Sequence, residues 1–453
     1  MFAGYREALA HLQSQVDVER MAPSRLDPER VFKLDRMRAL VDALGNPERD
    51  TRFVHIVGSK GKGGTVEMLS SCLGACRYAV GVFTSPHLVD VRERIRLGEA
   101  PIDEADFTRL LHEAVCAGAE IPEGLGQPTY FELLTAVALM FYAEQAVDIA
   151  VLETGLGGRL DSTNVIIPEV VGVSAIQLEH THILGDTLDK IAREKAGVFK
   201  AGIEAISVPQ HEEAANALRE VAQAVGAPLS FLGADIEFTS RFESSPQLGP
   251  HSRVSLTTVR STYEHMPVPL MGHHQADNCG LVLAILDRLR ERGFEAPERE
   301  VAIGLAATPK MGRLEQVWDA PRIFVDGAHT PESLEATIRA IGAHLRFDSM
   351  VCVFGCAADK QVDEMLRRLA LGSDKVIFTR AEGHDRGADP EDLQRRFTDI
   401  SPKMALWSAS VKDAINTAHQ GVGRDDLILV TGSFYVAGEA KRLLLNAKKK
   451  REG

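Results

Sequence analysis

The sequence predicts an α/β protein in which a larger domain carrying a phosphate-binding loop precedes a smaller α/β domain. Three observations carry this. Phe53-Val-His-Ile-Val57 is an apolar run that passes directly into Gly58-Ser-Lys-Gly-Lys-Gly-Gly-Thr65, after which Val66, Leu69, Leu73 and Cys76 recur at helical spacing. Val151-Leu-Glu153 ends a second apolar run in a carboxylate and opens into a Gly-rich polar turn reaching Asn164, the pattern of a buried strand that delivers an acid to a pocket at its C-terminal end. From Ile323 onward, short apolar strands alternate with helical stretches, as in a second α/β unit.

In chain order, the first 50 residues read as helical, with Val31, Leu34, Met37, Leu40, Val41 and Leu44 on one apolar stripe. The phosphate loop and its helix follow. A short strand, Val80-Gly-Val-Phe-Thr84, then leaves through Thr84-Ser-Pro-His-Leu88. An apolar helix is expected over 128–145, then the strand ending at Glu153, a strand over 170–176 and a helix over 186–197. Residues 228–270 alternate and carry turn residues, which predicts a small β-rich patch. Further strands are expected at 323–325, 350–354, 375–378 and 427–430, with helices near 331–345, 361–371 and 411–420. Pro309-Lys-Met-Gly312 interrupts helix near 300–310 and divides the chain into 1–304 and 305–453. No internal repeat is visible.

At 453 residues the chain is long enough for two or three domains and a large core. Its 51 basic and 64 acidic residues leave a charge of −13, which argues against general nucleic-acid binding; an anionic ligand would need locally placed Arg and Lys. The six cysteines form no Cys-x-x-Cys pair. Cys72/Cys76 and Cys352/Cys356 lie in apolar stretches and read as buried free thiols rather than zinc ligands or disulfides. With no signal peptide and no apolar run of membrane-spanning length, the chain reads as a cytoplasmic enzyme without a membrane partner. Lys448-Lys-Lys-Arg451 reads as a solvated C-terminal end.

The chemistry concentrates in the two Gly-rich segments. Glycines let backbone amides approach a phosphate, a helix N-terminus favours the anion, and Lys62 adds a full positive charge. The strict phosphate-loop pattern, with Ser or Thr directly after the lysine, is not met; the strand–loop–helix context supports the reading. Glu153 suits magnesium, which favours carboxylate and water ligands beside phosphates. The competing reading of Glu153 is a satisfied turn acid.

These motifs together resemble the folylpolyglutamate synthase/dihydrofolate synthase family, within the Mur ligase group of ATP-dependent amide ligases. The resemblance runs from about Phe32 to Leu444. It rests on the loop at 58–64, Thr84-Ser-Pro-His-Leu88 with Arg92-Glu-Arg-Ile-Arg96, and Glu153 through Asp161. It rests equally on His180-Thr, Ile183-Leu-Gly-Asp-Thr187, Ile191 through Gly197, Gly312-Arg313, Asp326-Gly-Ala-His329 and Asp359-Lys360. It implies a P-loop-type Mur ligase central domain with a smaller Rossmann-like C-terminal domain that carries glutamate ligase function.

It also implies roles. Gly58, Ser59, Lys60, Gly61, Lys62, Gly63, Gly64 and Thr65 would cradle the ATP phosphates. Ser85 and Glu153 would hold one magnesium. Glu153 and His180 would hold a second metal, with Lys195 carbamylated to become an anionic ligand; potassium is a further candidate cation. Gln275 and Asn278 of His274-Gln-x-x-Asn would lie near adenine, where amides both donate and accept. Arg313, Asp326 and His329 would close over the nucleotide, Arg313 neutralising the transferred phosphoryl group. Phe131, within Thr129-Tyr-Phe-Glu132, and Asp161 are the candidates beside the pterin. The plainer readings are a helix-surface lysine for Lys195, surface histidines for His180 and His182, a core aromatic for Phe131 and a helix-capping acid for Asp326.

The implied reaction has two steps. A pteroate or folate carboxylate attacks the ATP γ-phosphate, giving an acyl phosphate and ADP. The amine of L-glutamate then attacks the acyl carbon and releases phosphate. Domain closure would keep water from the acyl phosphate. The partners are then small molecules, and the chain is read as a monomer. Four positions depart from the family pattern: Lys60 for Asn, Gly64 for Ser, Glu179 for Asp and Thr330 for Asn. Two other functions stay open: a Mur-type ligase for a different carboxylate, and a nucleotide-binding protein with weak ligase activity.

Overall fold

The computed structural model describes residues 2–18, 31–245, 249–383 and 386–452. The helical reading of the first 50 residues falls partly on 19–30, outside the described residues. On either side of that segment, Tyr5–Gln13 and Leu34–Ala43 are helices. Leu34, Met37, Leu40 and Val41 are buried on one stripe.

The larger sheet has eight strands: β1 (Phe53–Val57), β2 (Val80–Phe83), β3 (Ile95–Leu97), β4 (Ala100–Pro101), β5 (Ile149–Glu153), β6 (Val170–Val173), β7 (Glu204–Ser207) and β8 (Leu229–Phe231). Their spatial order is β4-β3-β2-β5-β1-β6-β7-β8. The six from β2 to β8 run parallel, and β3 and β4 form an antiparallel edge. Every residue of β1 and β5 is buried, because helices cover both faces and leave these strands no solvent side. The register pairs Ile56 with Glu153. Glu153 and the loop after Val57 therefore emerge together at the carboxyl ends of adjacent strands, where open parallel sheets bind ligands.

Two helices fix that end. Lys62–Ala75 starts at Gly61, whose φ of 95° is open to glycine at little cost. Tyr130–Glu144 starts at a capping box, in which Thr129 accepts from the Glu132 amide and Glu132 accepts from the Thr129 amide. Its apolar residues face all round and are buried, as the composition of 128–145 predicts.

The β-rich patch is a three-stranded antiparallel sheet of β9 (Glu237–Ser245), β10 (Gly249–Thr257) and β11 (Thr262–Pro267). The buried helix His274–Arg290 follows, then Glu298–Ala306. The smaller sheet comprises β12 (Glu315–Asp319), β13 (Arg322–Val325), β14 (Met350–Phe354), β15 (Lys375–Phe378), β16 (Met404–Trp407) and β17 (Leu427–Thr431). Its order is β12-β13-β17-β14-β15-β16, parallel except for β12. A last helix, Phe434–Glu452, carries the basic run on from the sheet. Cys72, Cys352 and Cys356 are buried free thiols; Cys76 is partly buried and Cys116 is exposed. Among the described residues, no helix is long and apolar enough to cross a membrane.

Candidate active site

A cavity of about 730 Å³ lies between the two sheets and is lined from both sides. The larger unit contributes Ser59 through Gly64, Ser85, Phe131, Glu153, Asp161, His180, Gln275 and Asn278; the smaller contributes Arg313, Asp326 and His329. Gly58, Thr65 and Lys195 do not line it. The Thr65 hydroxyl donates back to the Gly61 carbonyl at 3.1 Å, so it does not stand in for the hydroxyl missing at Gly64.

The phosphate loop is stiffened from within. Lys62 Nζ donates to the Gly58 carbonyl at 3.0 Å, and the Ser59 and Lys60 amides both donate to the Ala175 carbonyl. Gly61 lies against the Asn278 side chain: a Cβ there would stand 2.4 Å from Asn278 Oδ1. Asn278 in turn donates to Gln275 Oε1 at 2.9 Å. The amide pair assigned to adenine is thus seated beside the loop. Gly64 leaves room for the same pair, since a Cβ would meet Gln275 Oε1 at 2.9 Å.

Glu153 is 4% exposed and accepts from the Ser85 amide at 3.2 Å. Burial pushes its carboxyl upward, while Lys62 and Arg313 pull it back. Among the described residues, no group of three or more His, Cys, Asp or Glu side chains gathers as a metal site. One carboxylate and the neighbouring Ser85 nonetheless fit magnesium, which commonly takes one or two carboxylates and completes its shell with water and substrate phosphates.

Lys195, expected on a helix surface in the plainer reading, is buried. Its Nζ donates to Glu179 Oε1 at 2.8 Å and to the Gly58 carbonyl at 2.9 Å. Burial lowers its pKa, against the pull of Glu179. Burial opposes ionisation of Glu179 as well, yet Lys195 and Lys62 hold it down at about 2. His180 lies at the cavity mouth with a left-handed backbone, φ 44°, and its ring faces that of exposed His182.

On the smaller unit, Asp326 is spent locally. It accepts from the Leu314 and Ala328 amides and from the Thr337 hydroxyl. That network ties the strand end to the loop before β12 and to the middle of the helix Pro331–His344, whose N-cap is Thr330 rather than Asp326. His329 Nδ1 bonds the Gly327 carbonyl at 2.8 Å, which places its proton on Nδ1 and leaves Nε2 as an acceptor. Burial, reinforced by Lys60, lowers its pKa to about 3. The Thr330 hydroxyl caps the helix Pro331–His344, together with Ser333; this departure is absorbed by the helix end.

At the far end of the cavity, Phe131 packs on Phe83 with centroids 5.6 Å apart. Asp161 accepts from the Leu156 and Thr163 amides and the Thr163 hydroxyl; it organises the turn rather than presenting a free carboxylate. Sequence reasoning missed Arg94, Tyr130 and His87, which also line this end. Arg94 is buried, donates to His87 Nδ1 at 2.9 Å and stands 5.5 Å over the Tyr130 ring. Its signal was available in Arg92-Glu-Arg-Ile-Arg96, directly after the Thr84–Leu88 loop. The buried pair Arg36–Glu132 was also missed; the Thr-x-x-Glu spacing marks Glu132 as a capping residue.

Comparison with known proteins matches this geometry. Residues 312–434 match the glutamate ligase domain of Mur ligases. The chain is 32% identical over 415 residues to the dihydrofolate synthase/folylpolyglutamate synthase of Bacillus subtilis, covering 91% of this chain and 94% of that one. The chain belongs to the folylpolyglutamate synthase/dihydrofolate synthase family. Two solved members superpose over nearly their full length. Mycobacterium tuberculosis folylpolyglutamate synthase complexed with ADP aligns with a TM-score of 0.85 and 30% identity, over 97% of this chain and 98% of that one. Escherichia coli FolC in complex with DHPP and ADP aligns with a TM-score of 0.84 and 28% identity, over 99% of each chain. The family's fold is thus the one expected, a Mur ligase architecture with its smaller α/β domain at the C-terminus.

Proposed function

We propose that this chain joins L-glutamate to the carboxylate of a pteroate or folate, using ATP and passing through an acyl phosphate. One observation carries the reading. Lys62 and Glu153 from the larger unit, and Arg313 and His329 from the smaller, face a single cavity that continues to the aromatic end at Tyr130 and Phe131. ADP bound to the mycobacterial and Escherichia coli relatives supports nucleotide binding at this cavity.

The loop amides and Lys62 hold the ATP phosphates. Gln275 and Asn278 lie beside adenine. Ser85 and Glu153 would hold magnesium, which would supply Lewis-acid chemistry at the phosphoryl group. Arg313 reaches Gly63 across the cleft and adds a second cation there. Phe131, Tyr130 and Arg94 form the apolar and cationic walls that suit a flat heterocycle on an acidic tail, with Asp161 fixing the turn behind them. The neutral Nε2 of His329 is free to accept a hydrogen bond from the amine of glutamate and orient it for attack.

Carbamylation of Lys195 belongs to the same reading. Burial favours the neutral amine that reacts with carbon dioxide, and a carbamate there would supply an anionic oxygen ligand in place of a cation. A division of the chain at 304/305, a potassium requirement and a monomeric state are also part of it. ADP release with ATP, magnesium and L-glutamate, with dihydropteroate or tetrahydrofolate added in parallel, tests the proposal. Stimulation by either acceptor supports it, and the pattern separates dihydrofolate synthase from a bifunctional enzyme. ADP release indifferent to both acceptors returns the chain to a Mur-type ligase of another carboxylate.

A further inference from the structure

Lys60 is the departure that the local structure leaves unsatisfied. Its backbone is fixed by the Ala175 carbonyl, but its ammonium makes no hydrogen bond or ion pair with any described residue. It is partly buried in the cavity wall. Desolvation lowers its pKa; Glu179 opposes this, while Lys62 and Lys360 add to it. Lys360, on the loop after β14, is in the same condition: it is partly buried in the same cavity, with no hydrogen bond or ion pair from its ammonium to a described residue. Its neighbour Asp359 is already paired with Arg386. Both ammoniums act on His329, so they converge from opposite sides of the cleft. With Lys195 unmodified, the nearest carboxylates are otherwise engaged or distant: Glu179 is paired to Lys195, and Glu332 makes no ion pair with either ammonium.

Two desolvated cations without partners, on opposite walls of one cleft, are unfavourable until an anion sits between them. We propose that Lys60 and Lys360 form an inter-domain clamp on the terminal phosphoryl group of ATP, so that the triphosphate, and not the diphosphate, draws the smaller domain onto the phosphate loop. The choice of anion follows from position. Lys60 immediately precedes Gly61, at the N-terminus of the helix whose amides face the phosphates, and Lys62 two residues on faces Glu153. The clamp rests on the nucleotide part of the proposed function and not on the identity of the acceptor.

The test compares binding of AMPPCP and ADP, each with magnesium and without folate or glutamate, to the full-length protein and to Lys60→Met, Lys60→Arg, Lys360→Met and the double Met variant. Lys60→Met and Lys360→Met should each weaken AMPPCP on the order of tenfold, the loss of one charge-assisted hydrogen bond. ADP should change by less than about twofold, and Lys60→Arg should retain most AMPPCP affinity. The double variant should lose little more than either single one, because a phosphoryl group held from one side no longer bridges. Without nucleotide, Lys60→Met should unfold at or above the wild-type temperature, since an unpaired charge has been removed. Equal losses for AMPPCP and ADP would overturn the clamp, as would additive losses in the double variant. A raised KM for glutamate with unchanged nucleotide binding would reassign the two lysines to the amino acid. A lowered unfolding temperature would show that Lys60 already has a protein partner. Because no acceptor is present, the clamp can fail while the ligase reading stands, and the reverse.

Discussion

Gly63→Ala should make the protein slightly more stable and much slower. Gly63 occupies helical backbone near the start of Lys62–Ala75, so alanine fits its conformation and should add up to about 1 kcal/mol of helix stability. The new methyl would, however, stand 1.9 Å from Arg313 Nη2 and 3.3 Å from Glu153 Oε2. The guanidinium is the flexible partner and must retreat; its Nη1 already donates to the Met311 carbonyl at 3.2 Å, which offers a place to go. Retreat removes one of the two cations that face Glu153 and, in the proposed reaction, the transferring phosphoryl group. A hydrogen bond to a charged group contributes about 1.5–3 kcal/mol, so turnover should fall about 10- to 100-fold. Urea unfolding and steady-state ADP release at saturating substrates measure the two effects on one preparation. Wild-type turnover in the alanine variant would mean that Arg313 plays no part near Glu153. A loss of stability well above 1 kcal/mol would mean that the clash is absorbed by the backbone rather than by the side chain.

Other substitutions probe separate parts of the molecule. Lys62→Ala and Glu153→Ala should each abolish amide formation in a protein that remains folded by circular dichroism, and full activity in either would undo the site assignment. Gly158→Ala should destabilise by about 1–3 kcal/mol, since its Cβ would lie 2.5 Å from the Lys195 carbonyl and 2.8 Å from that of Glu194; an unchanged urea midpoint would contradict the packing. His55 is fully buried, and burial, reinforced by Lys200, lowers its pKa from 6.5 to about 3. As pH falls the unfolded chain therefore takes up this proton first. Its contribution is intact above pH 6.5 and is lost progressively towards pH 3, by up to roughly 5 kcal/mol at the limit. His55→Leu should flatten that part of the acid limb in a pH series of urea melts, and an identical pH dependence in the variant would show that other groups set it.

The elements most legible in the sequence are those with one solution to burial. β1 and β5 are apolar on both faces because both faces are covered, and each ends where polar or Gly-rich residues begin. The 427–430 strand follows the same logic, whereas the 411–420 helix was legible from one apolar stripe, Val411, Ala414, Ile415 and Ala418. Edge strands gave no such signal: β16 leaves Met404, Leu406 and Trp407 exposed, and β3 and β4 span three and two residues. The helix Glu104–Glu120, amphipathic and capped by Asp103, carries no site motif and is legible only from its apolar periodicity. Within the site, residues on Gly-rich turns were legible by type, but their partners were not. Glu67–Arg96, Arg36–Glu132 and Lys195–Glu179 join segments 29, 96 and 16 residues apart, and only the fold brings them together. The same holds for the absence of partners: nothing in the local sequence shows that Lys60 and Lys360 are left without counter-charges.

In the proposed reaction the acceptor carboxylate is activated as an acyl phosphate before glutamate attacks. Turnover of a pteroate or folate acceptor labelled with ¹⁸O in its carboxylate, followed by mass spectrometry of the released phosphate, tests this most directly. Transfer of ¹⁸O into inorganic phosphate, dependent on L-glutamate and lost in Glu153→Ala, is the predicted result. Glutamylated product formed alongside unlabelled phosphate would contradict it.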